Sequence, residues 1–273
     1  MGARADGQNG PIGAIGFHRF DCFPAERLLA GCTYRTGGVS EGRYGELNLA
    51  FHVGDDPAVV GENRRRLARA LGVLLDDFVV PQQVHEGRVE VVSAAHRGRG
   101  ARSDDDALLA TDALVTREKG IVLAVMIADC VPVIVLDPAL PAVGVAHAGW
   151  AGTLHHITRR TVETMQAEFG SDPASLVAAV GPSIGPATYE VRADVAELVR
   201  AEFAGLDVLR STGEEAFLLD LWESNVGDLV EAGLLRENIE IAGIDTYQDA
   251  ARFYSHRRDG TTGRFMELAM LRP

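Results

Sequence analysis

From Phe78 onward, apolar residues arrive in short, dense runs rich in Val and Ile, set apart by turn residues. Such runs predict β-strands. The candidates are Phe78–Val80, Arg88–Ser93, Ala113–Val115, Ile121–Ile127, Val131–Leu136, Ala142–Ala146, Leu176–Val180, Phe217–Asp220 and Ile239–Ile244. Four other stretches predict helices: Pro57–Leu71, Leu154–Phe169, Arg192–Glu202 and Leu221–Ala232. In the second, Ile157, Val162, Met165 and Phe169 share a face and leave Arg159, Arg160, Glu163 and Glu168 outside. Pro57 follows two aspartates, a favourable arrangement for a helix start. The strands adjoin one another more often than they alternate with helices. The expected class is therefore α+β with mixed sheets rather than a doubly wound sheet. Arg97–Asp106 reads as a solvated surface loop. A flexible tail is expected over residues 1–15 and a single domain over 16–273.

Composition narrows the function classes. The chain has 273 residues, 47% of them hydrophobic, enough for a large core. A duplex binder needs a basic face, and with a net charge of -13 nucleic acid is not an expected partner. Cys22, Cys32 and Cys130 are too few for a disulfide framework and suit a reducing compartment. Met1–Pro11 lacks the apolar core of a signal peptide. The longest apolar stretch, Ile121–Leu136, is interrupted by Asp129 and Pro132 and is too short to span a bilayer. The expected location is the cytoplasm, with no membrane contact.

Three metal-type ligands end or follow apolar runs: His85 after Pro81–Val84, Cys130 after Met126–Asp129, and His147 after Val143–Ala146. Each alone reads as an ordinary histidine or a small core thiol. At matching strand ends they read together as zinc ligands, because zinc selects thiolate and imidazole. Three protein ligands leave one coordination position for water or substrate, the pattern of a catalytic site. The close ligand pairs of structural zinc sites are absent, as are the nucleophile elbow, Walker A and Rossmann fingerprints. Asp129 either orients a ligand or moves a proton, or else caps a turn. Trp150 and Phe51 are able to stack a purine but read first as core packing.

Specific segments then resemble the bacterial laccase-domain family, the multicopper polyphenol oxidase-like proteins also described as zinc-dependent purine nucleoside phosphorylases. They are Arg35–Ser40, Leu47-Asn48-Leu49, His52–Asp56, Asn63-Arg64, Gln83-Val84-His85, Asp112–Thr116, Ala128–Pro132, His147–Trp150, Gly181–Gly185, Phe253–Gly260 and Thr262-Gly263-Arg264. The resemblance runs from about Thr33 to Leu271. It implies a central pair of mixed β-sheets flanked by helices, related to toxin-type cysteine hydrolases. It implies metal binding by His85, Cys130 and His147, with Arg64 beside the metal and Asn48 lining the same pocket. It further implies phosphorolysis of adenosine, inosine, guanosine and methylthioadenosine, with adenosine deamination as a side activity. Ala151, Ser183 and Asp245 stand where the family often has Arg, Cys and Cys.

On that basis the expected catalytic residues are Arg64, Cys130 and Asp129, and the expected substrate-binding residues are Asn48 and Arg64. Arg64 would grip phosphate through its planar fork. The expected cofactor is zinc, with copper as the alternative for a polyphenol oxidase. A third reading makes Cys130 the nucleophile and His147 its base in a hydrolase editing a peptidoglycan precursor. Arg257, Arg258 and Arg264 form a basic cluster near the C-terminus, open either to an anionic substrate or to pairing with Asp259 or Glu267.

Overall fold

The computed structural model describes residues 12–273. The described strands, in chain order, are β1 (Phe17–His18), β2 (Leu28–Thr33), β3 (Phe78–Val79), β4 (Val89–Val91), β5 (Ala113–Thr116), β6 (Val122–Ile127), β7 (Val131–Asp137), β8 (Ala142–Ala148), β9 (Val177–Val180), β10 (Glu190–Arg192), β11 (Leu209–Ser211), β12 (Ala216–Leu219), β13 (Ile239–Ile241) and β14 (Phe265–Leu271). The helices are α1 (Pro57–Leu71), α2 (Trp150–Leu154), α3 (Ile157–Phe169), α4 (Ala193–Glu202), α5 (Leu221–Glu231) and α6 (His256–Asp259). Two mixed sheets form the centre, ordered β1-β2-β14-β6-β3 and β13-β9-β7-β8-β5-β4, and a small antiparallel sheet β10-β12-β11 lies apart. Parallel pairs occur at β3–β6, β4–β5 and β9–β13, which makes both large sheets mixed.

The sheets pack face to face. Ile134, Leu136, Val143 and Val145 from one meet Leu123, Val125, Ile127 and Ala269 from the other. The outer face of the six-stranded sheet carries Val133, Val135 and Ala146 against Ile157, Val162 and Met165 of α3 and Leu229 of α5. The outer face of the five-stranded sheet carries Ala124, Met266 and Leu268 against Leu67 and Ala68 of α1. Strands buried on both faces read as unbroken apolar runs, which is why β6, β7 and β8 were plain in the sequence. Helix α1 begins where Asp56 accepts the Ala58 amide at 2.8 Å and ends at Gly72, whose φ of 72° a side chain would resist.

Two expectations need correction, and two strands were not anticipated. The helix expected over Leu154–Phe169 is α3, which starts at Ile157, while Leu154 closes the separate helix α2. The break falls at His156, with φ 54°, whose ring bridges Asp228 at 2.7 Å and Glu202 at 2.8 Å. Residues 12–15 belong to the fold rather than to a tail, since Ile12 pairs with Ile15 and Ile15 is buried; residues 1–11 lie outside the described residues. Strands β2 and β14, not anticipated, form the middle of the five-stranded sheet.

Candidate metal centre

The site forms where the chain passes from one sheet to the other. Strand β6 ends at Ile127, and β7 begins in the facing sheet at Val131, so Ala128-Asp129-Cys130 must turn sharply between them. Asp129 makes that turn at φ 85°, a conformation costly for a residue with a side chain. Its carboxylate holds the turn by accepting from Thr246 Oγ1 at 2.8 Å, Ser255 Oγ at 3.0 Å and the Arg257 amide at 2.6 Å. Of the roles open to Asp129, these contacts fit the turn-holding one.

Asp112, just before β5, organises the two histidines. One carboxylate oxygen accepts the His85 amide at 3.0 Å and the other accepts the Glu86 amide at 2.9 Å, which fixes the loop where His85 adopts φ 64°. The same carboxylate meets His147 Nδ1 at 2.9 Å, and its own backbone carbonyl accepts the His147 amide at 2.8 Å. His147 therefore presents Nε2 toward the site. An orienting carboxylate behind a ligand histidine is the usual support of a metal site.

The ligand atoms of His85, Cys130 and His147 all lie within 4.8 Å of one another, and Cys130 Sγ is 3.7 Å from His85 Nε2. His85 is exposed, Cys130 half-buried and His147 buried, so the centre opens on one side. Burial works against ionising Cys130, but the His147 charge and hydrogen bonds from both histidines outweigh it and lower the thiol to about 6. Burial also works against protonating His147, yet the Cys130 thiolate and Asp112 raise the ring to about 9. A thiolate is the form a metal binds. A Cβ at Gly149 would stand 2.7 Å from the His85 ring and 3.0 Å from Cys130 Sγ, so only glycine fits there. Two imidazoles and a thiolate, held from behind and reached from one side, fit a zinc ion with one open position.

Two cavities adjoin the centre, of about 270 and about 330 Å³. Both are bounded by His85, Ala128, Cys130 and His256. Trp150, expected in the core, is 39% exposed and lines the first. Arg264 lines the second. Of the C-terminal arginines, Arg258 pairs with Asp259 at 2.8 Å, Arg257 lies 4.8 Å over the Tyr189 ring, and the Arg264 side chain donates to the Thr262 and Gly263 carbonyls.

Arg64 and Asn48 are not brought to the centre. Arg64 is buried beneath the Phe51 ring, 4.3 Å away, and donates to the carbonyls of Leu49 at 2.7 Å and Ala101 at 3.0 Å, and also to that of Gly100. A guanidinium that gives Nε and Nη1 to three carbonyls braces those loops, and Arg64 lines neither cavity. Asn48 is also buried, and its Oδ1 accepts the Arg264 amide at 2.9 Å. It thus positions the backbone of a cavity residue without reaching the cavity. Asp112, Gln83, His256 and Tyr189 are site residues that sequence reasoning did not single out. For Asp112 a signal existed: a carboxylate directly before a buried strand, with no helix to cap.

A two-sheet fold carrying a one-sided cluster of two imidazoles and a thiolate defines a metalloenzyme-like class. The family model described as multi-copper polyphenol oxidoreductase laccase matches residues 29–272, and the chain belongs to that family. The chain is 41% identical over 245 residues to "Purine nucleoside phosphorylase YlmD" of Bacillus subtilis, covering 89% of this chain and 88% of that one. It is 38% identical over 229 residues to "Adenosine deaminase RL5" from an unknown prokaryotic organism, covering 82% and 87%. The crystal structure of YlmD from Geobacillus stearothermophilus superposes with a TM-score of 0.91 at 36% identity, covering 95% of this chain and 97% of that one.

Proposed function

We propose that this protein is a zinc-dependent purine nucleoside phosphorylase, splitting adenosine, inosine, guanosine or methylthioadenosine with phosphate into free base and ribose-1-phosphate. The observation that carries the reading is the convergence of His85, Cys130 and His147 beside cavities large enough for a nucleoside. The names of its relatives supply the reaction class. Bound zinc would supply Lewis acidity toward a substrate atom. Asp112 holds His147 and the His85 loop in place, and Asp129 fixes the turn that presents Cys130. Adenosine deamination is a second activity of the same site. Among the described residues no helix is long and apolar enough to cross a membrane, and the free thiols of Cys22, Cys32 and Cys130 suit a cytoplasmic enzyme.

A hydrolase reading has its own support: Asp112, His147 and Cys130 stand in the order of an orienter, a base and a thiolate nucleophile. One experiment separates the two. Inosine and adenosine are incubated with and without phosphate, using wild type, chelator-treated protein and Cys130→Ala, while zinc and copper content are measured. Ribose-1-phosphate that requires phosphate, Cys130 and about one zinc per chain supports the phosphorylase. Phosphate-independent cleavage that survives chelation supports the hydrolase, and several coppers per chain support the oxidase.

A further inference from the structure

The two cavities beside the metal centre differ in chemistry. The first is walled by the aromatic rings of Trp150 and Tyr189 and by the aliphatic side chains of Ile184 and Leu221. Arg257 also lines this lobe, but its guanidinium lies 4.8 Å from the centroid of the Tyr189 ring and donates to the Glu190 carbonyl at 2.7 Å, so its charge is taken up by the ring and the main chain. The second is walled by His52, Gln83, His147 and Arg264, with Met126 as its apolar member. Gln83 is committed to the Met126 backbone at 3.0 and 2.7 Å, and His52 faces Asp104 at 3.7 Å. Arg264 is the guanidinium of this lobe. Among the described residues its guanidinium donates through Nη1, to carbonyls at 2.8 and 3.1 Å, and no carboxylate forms an ion pair with it. The lobes meet along Cys130, His85, Ala128 and His256. His256 is held there by its Nδ1, 2.7 Å from the Gly260 carbonyl, and among the described residues Nε2 has no hydrogen-bond partner.

Phosphorolysis needs two binding places on opposite sides of one atom. An oxygen of hydrogen phosphate bonds to the ribose carbon as the bond from that carbon to the base nitrogen breaks. The electron pair leaves with the base, and the proton lost by hydrogen phosphate balances the one the base gains. A planar, uncharged base suits aromatic walls, and a dianion suits an unpaired guanidinium. Resting on the phosphorylase reading, we propose that the Trp150–Tyr189 lobe is the purine subsite, that the Arg264 lobe is the phosphate subsite, and that the ribose carbon lies at the junction beside Cys130 and His256. The phosphate-binding role expected of Arg64 thereby passes to Arg264.

The test reads binding, not turnover. In zinc-loaded Trp222→Phe protein, Trp150 is the remaining tryptophan, and hypoxanthine is titrated against its fluorescence; inorganic phosphate is titrated by calorimetry. Hypoxanthine should quench Trp150. Tyr189→Ala should weaken hypoxanthine by about tenfold or more, as loss of a stacking ring does, and leave phosphate binding within about twofold. Arg264→Gln should do the converse, weakening phosphate by about tenfold or more, with Arg264→Lys recovering part of the loss. Thermal melts identify any variant that fails to fold, in which case Tyr189→Leu and Arg264→Lys carry the comparison. Hypoxanthine that leaves Trp150 unquenched, a reversed pattern, or substitutions that weaken both ligands equally would overturn the assignment. Base and phosphate bound in their separate lobes with no ribose-1-phosphate formed would overturn the reaction and leave the lobes standing. Ribose-1-phosphate formed with the binding pattern reversed would do the opposite.

Discussion

Asp112 grips His147 through Nδ1 at 2.9 Å while the same carboxylate accepts the amides of the His85 loop. One buried acid thus aims two ligands from different elements. Asp112→Asn should weaken zinc binding by about 10–100-fold, the usual cost of losing such a partner. Competition against a chromogenic chelator measures this directly. Unchanged zinc affinity would show that His147 is aimed by something else.

The Cys130–His147 pair makes a pH prediction for metal-free protein. The thiol at about 6 lies below its ordinary 9.0, so its contribution to stability is complete above 9.0 and lost as pH falls through about 6. The ring at about 9 lies above its ordinary 6.5, so its contribution is complete below 6.5 and lost as pH rises through about 9. Between 6.5 and 9 the two opposing changes offset, and the pair leaves stability level. Reactivity does not cancel. Alkylation of Cys130 by iodoacetamide should rise with a midpoint near 6, while Cys22 and Cys32 stay inert because burial pushes their thiols up. A midpoint near the ordinary 9.0 would rule out the ion pair.

Arg64 offers a test of brace against catalyst. Arg64→Met removes donors from the carbonyls of Leu49, Gly100 and Ala101. Orphaning buried acceptors of this kind costs about 3 kcal/mol or more. The melting temperature should fall by about 6 °C or more, while KM for phosphate in the folded fraction stays within about twofold. An unchanged melt with a KM raised about tenfold would return Arg64 to the active site.

How much of this was legible depended on what each residue's neighbours in sequence reveal. Strands β6, β7 and β8 announce themselves because both faces are buried and every position is apolar or small. The cluster of His85, Cys130 and His147 was legible as three metal-type side chains beside apolar runs, and the fold brings their ligand-type atoms within 4.8 Å of one another. Strand β14 was hidden by Glu267 in its middle and by Met and Leu residues that favour helices. The break before α3 was hidden because the partners of His156, Asp228 and Glu202, are 72 and 46 residues away. The surroundings of Arg64 were hidden for a related reason. Nothing local distinguishes a guanidinium that meets a ligand from one that meets three backbone carbonyls contributed by distant loops.

Glu267 itself carries the last prediction. Within β14 it lies opposite Cys32 on one side and Val125 on the other, in the layer between the two large sheets. It is fully buried, and neither carboxyl oxygen has a hydrogen-bond partner among the described residues. Burial raises this carboxyl well above its ordinary 4.5, so the folded chain keeps it protonated while the unfolded chain ionises. A raised folded value means that its contribution is complete below 4.5 and is lost as pH rises toward the folded value. Glutamine keeps the shape and drops the proton linkage. Wild type and Glu267→Gln should therefore melt together near pH 4.5 and separate as pH rises. By about pH 8 the variant should be the more stable by about 2 °C or more. Melts across that range at fixed ionic strength test it. A gap that stays constant with pH would mean that Glu267 is ionised in the fold and has found a partner for its charge.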